Sequence, residues 1–201
     1  MTMGFLRAIK SKLRRWMDQC RRGEAVPREP QLWMVCPFTG AQPEGCATLT
    51  PPYRLRSFTP GEEEKWVDLI NTSQEFGQWS RETLQREVLA TLIAGSGVFA
   101  CCGDRLVGCA AGCSRKEFAP NAVLMYVAVL QEHRGRALGA AMIQEVMDVS
   151  RRAGYPGIML ATDPHRLAAI RTYLKLGFVP DWRSHPTARA QWDKVMAQIG
   201  R

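Results

Sequence analysis

A short apolar run, Val127-Ala128-Val129, leads through a brief loop into Arg134-Gly135-Arg136-Ala137-Leu138-Gly139-Ala140. Small residues at such a junction let a ligand approach the backbone closely. A helix starting there also points its first, unpaired N–H groups in one direction. That end carries roughly half a positive charge from the aligned peptide dipoles, which suits a diphosphate. Arg134 and Arg136 add cationic side chains beside the same spot. A dinucleotide fingerprint is excluded, because Gly-x-Gly-x-x-Gly is absent and no acidic residue closes a following strand at the required distance.

The other residues able to do chemistry are few. Tyr173 could donate a proton, although a tyrosine on a helix is commonly only half-buried packing. Glu132, His133 and Asp163 lie near the loop in sequence and could accept one, and a water chain to bulk could do so equally. Trp66 and Trp79 could wall a pocket, with helix packing as the plainer reading. The chain has only three histidines, none beside a cysteine pair, so no zinc spacing can be written and no metal is expected.

These residues must be positioned by an α/β domain. Tyr53–Phe58 reads as a strand, and Pro60–Asn71 as a helix with acids in its first turn. A second helix starts at Ser80, a natural N-cap. Gly97–Cys102 and Leu106–Ser114 form a hairpin around Gly103-Asp104, and Val123–Leu130 is a strand too apolar to have a wet face. A helix over Arg136–Arg152 carries Leu138, Met142, Val146 and Val149 on one stripe. The strand Gly157–Ala161 follows, then a helix capped by Asp163 with Pro164 at its first position, ending at Gly177. Phe178–Asp181 resumes as strand, and Thr187–Ile199 reads as a last helix.

Ahead of Tyr53 the pattern is irregular from Gly23 to Pro52, apart from a short strand at Leu32–Val35. Residues 1–22 place Phe5, Leu6, Ile9, Leu13, Trp16, Met17 and Cys20 at helical spacing, opposite seven basic residues countered by Asp18 alone. Most of the net charge of +8 therefore belongs to this basic amphipathic segment and not to the domain. Docking on its own domain or on a second subunit, as in a homodimer, is expected over contact with nucleic acid or membrane. No apolar run is long enough to span a bilayer, no secretory signal is expected, and the cysteines in apolar segments read as small core residues. A reducing, cytoplasmic setting is expected.

Two blocks then resemble the Gcn5-related N-acetyltransferase (GNAT) family. The first is Val127-Ala128-Val129 followed by Arg134-Gly135-Arg136-Ala137-Leu138-Gly139; the second is Ala169, Tyr173 and Gly177-Phe178. They stand in order inside a matching element sequence, over roughly Tyr53 to Trp182. The resemblance implies a GNAT fold over 53–183, a mixed central sheet with helices on both faces, followed by a helix over 184–201. It implies acetyl-CoA as co-substrate and acetyl transfer to a primary amine of a small molecule or peptide. Val127, Ala128 and Val129 would pair with the pantetheine arm as an added strand. Arg134 and the amides of Gly135, Arg136, Ala137, Leu138, Gly139 and Ala140 would hold the pyrophosphate. Tyr173 would protonate the leaving thiolate, and the acceptor pocket would be built by Thr72–Arg81 and Ser114–Ala122. Four positions depart from the family pattern: Ala137 replaces its first glycine, Gln131 a common proline and Arg166 a frequent asparagine, and Met125-Tyr126 stand where many relatives carry a glutamate base. A CoA-binding module without catalysis, and an RNA- or ribosome-associated protein acting through the basic segment, are the alternatives.

Overall fold

A computed structural model describes residues 30–39 and 49–200. The amphipathic segment expected within residues 1–22 lies outside the described residues. The described chain forms one mixed sheet in the order β2-β3-β4-β5-β6-β1-β7. Its strands are β1 (Leu32–Pro37), β2 (Tyr53–Ser57), β3 (Leu92–Cys102), β4 (Arg105–Cys113), β5 (Ala122–Val129), β6 (Gly157–Thr162) and β7 (Val179–Pro180). The helices are α1 (Glu63–Ser73), α2 (Arg81–Glu87), α3 (Leu138–Arg152), α4 (Leu167–Lys175) and α5 (Ala188–Ile199).

Glycines on β4 let α3 close on one face of the sheet. A Cβ on Gly108 would come within 2.9 Å of Met142 Cε, and one on Gly112 within 2.9 Å of Val146 Cγ1. The expected apolar stripe of α3 therefore lies directly on the strand, with Leu138, Met142, Ile143, Val146 and Met147 buried. Burial of each such side chain favours folding by about 1.5–3 kcal/mol. On the opposite face α1 inserts Trp66, whose ring meets Phe99 of β3 edge-on at 5.1 Å. Trp66 is thus a packing residue, fully buried.

Ser80 caps α2 as its type predicts, accepting a hydrogen bond from the Thr83 N–H at 3.3 Å. The start of α4 differs from the sequence expectation. The helix begins at Leu167, with no side-chain cap. The Asp163 carboxylate expected to cap it is taken instead by Arg166, at 3.0 Å, and by Gln31, at 3.3 Å. β3 begins at Leu92, earlier than expected, because Gly95 and Ser96 interrupt the apolar run while the Ser96 hydroxyl donates to the Gly112 carbonyl at 2.6 Å.

The strand in the otherwise irregular segment has a larger place than its length suggests. β1 runs antiparallel to β6 from Leu32↔Thr162 to Pro37↔Gly157 and carries β7 on its other edge. Leu32 and Met34 on it are completely buried. The sheet therefore draws on residues well ahead of Tyr53.

Candidate active site

β5 and β6 run parallel but pair only at Ala122↔Ile158 and Val123↔Met159. Beyond that point β5 turns away. The cause is a bulge, in which Tyr126 and Val127 together oppose the single Ala110 of β4. A bulge bends its strand and increases the local twist. Tyr126 adopts φ +51, the left-handed region that costs a non-glycine residue free energy and clusters at functional sites. It is held there by the edges of Trp79 at 4.6 Å and Phe76 at 5.4 Å, and by its hydroxyl at 3.4 Å from Glu87. The edge of Leu124–Val129 that faces β6 is left without a strand partner, and a cleft of about 750 Å³ opens between the two strands. An extended ligand can add to such an edge through main-chain hydrogen bonds.

The same strand leads to the glycine-containing loop. Gly135 has φ +77, and α3 starts immediately after Ala137. Arg136 folds back on the loop, donating to the Glu132 carbonyl at 2.7 Å and lying over the Tyr53 ring. Arg134 donates from Nε to the Val129 carbonyl at 3.0 Å and from Nη2 to Glu75 at 2.6 Å. Both guanidinium groups thus have protein partners, and the free main-chain N–H groups of the first turn of α3 are the donors left for an anion. Nothing lies within 4 Å of a Cβ built on Gly135 or Gly139, so the approach to those amides is open.

Ala137 corrects one expectation. It is not at a helical position but at the N-cap, with φ +57 and ψ 8. Left-handed backbone costs an L-residue roughly 1–2 kcal/mol, against about 0.5–1 kcal/mol of extra unfolded-state entropy for glycine. Ala137→Gly is therefore expected to raise stability by about 0.5–1 kcal/mol in a denaturant titration and leave acetyl-CoA affinity within a few-fold. A loss of stability would contradict the left-handed backbone at this residue.

Tyr173 comes from α4 and faces the cleft from the β6 side. Its ring packs edge-on against Phe178 at 5.8 Å, and its hydroxyl has no hydrogen-bond partner among the described residues. Burial pushes its pKa up to about 12, with Arg166 acting in the opposite sense, so the hydroxyl stays protonated at neutral pH. Above it runs an ion-pair chain. Glu75 pairs with Arg134 and with Arg166, both at 2.6 Å, and Arg166 pairs with Asp163 at 3.0 Å. The chain ties the segment between α1 and α2 to the glycine loop and to α4.

Of the three expected proton acceptors, only Asp163 lines the cleft. Glu132 is exposed and paired with Arg105, and His133 is held by the Tyr53 hydroxyl at 3.0 Å. The segment 72–81 does form a cleft wall, through Glu75, Phe76, Gly77 and Trp79. Ser114–Ala122 does not; its Phe118 packs on Trp33 at 5.2 Å. Part of the wall comes from Gln31, Trp33, Ser184 and His185, which the sequence pattern did not single out. Only the sheet position of β1 brings them there.

Residues 62–178, more than half of the chain, match the sequence model described as the acetyltransferase (GNAT) family. The chain belongs to the GNAT family. Among curated relatives it is 32% identical to the mycothiol acetyltransferase of Thermobispora bispora, over 78% of this chain and 56% of that protein. It thus spans little more than half the length of that relative. Among solved structures, a GCN5-related N-acetyltransferase from Sphaerobacter thermophilus superposes with a TM-score of 0.64 at 20% identity, covering 76% of this chain and 50% of that one. A putative acetyltransferase from Salmonella typhimurium, solved with its cofactor acetyl-CoA, gives 0.52 at 17% identity over 63% and 79% of the two chains. At these identities the likeness shows the fold of this GNAT chain.

Proposed function

We propose that this GNAT protein transfers acetyl from acetyl-CoA to a primary amine of a small molecule or peptide. The observation that carries the reading is the course of β5: an edge over Val127–Val129 with no strand beside it leads straight to the loop and helix start of Gly135–Ala140, open at Gly135 and Gly139. One extended ligand with a peptide-like arm and a diphosphate fits both halves. Val127, Ala128 and Val129 would bind the arm, and one of their N–H groups would face the thioester carbonyl as its oxygen gains charge. Gly135, Arg136, Ala137, Leu138, Gly139 and Ala140 would hold the diphosphate, with Arg134 at the loop entrance. The co-substrate supplies an activated acetyl group on a thiolate leaving group. Tyr173, protonated and free at its hydroxyl, would donate to that sulfur. Holding amine and thioester together in the cleft supplies much of the remaining acceleration.

The test is direct. Acetyl-CoA should bind in calorimetry, and primary amines drawn from arylalkylamines, polyamines and peptides with free N-termini should gain the mass of one acetyl group. Binding without transfer to any member of that panel would leave a CoA-binding module; no binding would remove the reading altogether.

A further inference from the structure

The wall of the cleft opposite α2 holds a group that the reaction outlined above does not use. His185 lies in the turn between β7 and α5, is 8% exposed, and lines the cleft together with Thr162 and Tyr173. Its Nδ1 lies 3.2 Å from Thr187 Oγ1. Its Nε2 is buried and has no hydrogen-bond partner among the described residues, and Thr162 Oγ1 is in the same condition. A buried polar atom left unpaired is costly, because it has given up water and gained nothing in return. Both residues line the cleft and hold these atoms just behind its wall, so a polar ligand atom that reaches them would pair them.

We propose that His185 is the proton acceptor of this enzyme, taking the N–H proton of the attacking amine on Nε2. The inference rests on the acetyl-transfer reading above. An amine nitrogen that attacks a carbonyl becomes cationic and must shed a proton, so the cleft needs a neutral group with a free lone pair. The other titratable groups lining it are committed. Glu75 is held by Arg134 and Arg166, and Asp163 by Arg166 and Gln31. Glu87 is held below its ordinary pKa by its hydrogen bond from Arg86, with Arg115 adding to the effect. Arg86 and Arg166 carry protons already, and Tyr126 and Tyr173 are both pushed up to about 12 by burial. His185 is held below its ordinary pKa by burial, so the ring is neutral at pH 7. The Gln31 carbonyl and the Asp181 carboxylate act the other way and favour the imidazolium that the step creates.

The step balances. The amine lone pair forms the C–N bond to the acetyl carbon, and the nitrogen's proton moves to His185 Nε2. The C–S bond breaks, its electron pair stays on sulfur, and the thiolate takes the Tyr173 proton. The imidazolium proton then returns through solvent to the Tyr173 phenolate. The assignment requires the tautomer in which Nδ1–H donates to Thr187 Oγ1, which leaves the lone pair on the buried Nε2.

The sign of the pH dependence follows. The base is fully available above the ring's pKa and is lost as pH falls through it, a value below 6.5. His185→Asn keeps an amide nitrogen near the Nδ1 position and removes Nε2. At pH 7.5 it is expected to lower kcat/KM for the accepted amine roughly 10²-fold while leaving acetyl-CoA affinity unchanged. Dividing parent by variant at each pH cancels the amine's own ionisation, and the ratio should decline toward one on the acid side. Ring NMR of the parent should place the His185 titration at the same pH as that decline, a readout that does not depend on the variant folding. A variant with parental rate overturns the proposal, as does a ring that titrates elsewhere. A parent that binds acetyl-CoA but acetylates no amine in the panel overturns the transfer reading, and this inference with it.

Discussion

Tyr173→Phe is expected to slow acetyl transfer by about 10- to 10²-fold while leaving the fold and acetyl-CoA binding intact. The size follows from what the hydroxyl can do. At a pKa of about 12 it is a much weaker acid than an ordinary thiol, whose pKa is about 8.5. Full proton transfer to the departing sulfur is therefore uphill, and the early benefit is a hydrogen bond to a developing thiolate. Such a bond to a charged group is worth about 1.5–3 kcal/mol, which corresponds to the stated range of rates. Thiolate leaves tolerably well unaided, so complete loss is not expected. Stability should hardly change, because the hydroxyl has no partner among the described residues and the ring contact with Phe178 remains. Acetyl-CoA affinity should stay within a few-fold, since the proposed phosphate and pantetheine contacts are main-chain groups elsewhere. Single-turnover transfer at saturating acetyl-CoA is the deciding measurement. A variant at parental rate would make Tyr173 a packing residue and leave solvent as the proton source.

The elements that build the binding half of this site follow local rules, and those are legible in one dimension. The α3 stripe obeys a helical period, Ser80 carries a cap's chemistry, and the loop at Gly135–Gly139 announces itself by small residues between a strand and a helix. What sequence could not show is where distant segments meet. His185 and Thr162 belong to separate elements and carry no motif; they come to line one cleft only because β1 inserts beside β6 and brings β7 and its following turn with it. Glu75 is similarly anonymous until its loop crosses to Arg134 and Arg166.

Two local misreadings have a common physical origin. Asp163-Pro164 has the residue types of a helix start, yet its carboxylate finds a better partner in Arg166, and the helix begins later without a cap. Ala137 has the type of a helix-interior residue, yet the strand-to-helix turn forces it into left-handed backbone. In each case tertiary geometry overrode a preference worth about 1 kcal/mol, which is the scale of a cap or a propensity.

The phosphate cradle can be tested with a substitution whose effects on folding and on binding have opposite signs. Gly139 lies in the first turn of α3, and a Cβ there meets nothing within 4 Å. Replacing a helical glycine by alanine gains about 0.8–1.0 kcal/mol of intrinsic propensity, and by glutamate somewhat less. A carboxylate near the positive end of the helix adds about 0.3–1 kcal/mol. Gly139→Glu should therefore fold at least as well as the parent, with a midpoint raised by a few degrees on the scale of about 2–4 °C per kcal/mol for a chain of this size. For acetyl-CoA the same carboxylate is an obstacle. Placed beside the amides proposed to hold the diphosphate, it fills their open approach and sets like charge against like. Two unit charges about 4 Å apart repel by about 4 kcal/mol at the effective dielectric constant of a protein surface, and by less once salt screens them. A loss of at least tenfold in affinity, about 1.4 kcal/mol, is the expected minimum. Calorimetry with acetyl-CoA and a thermal melt on the same preparation measure both effects. A variant that melts higher and binds as tightly as the parent would take the diphosphate away from the start of α3, and with it the reading of β5 as the pantetheine strand.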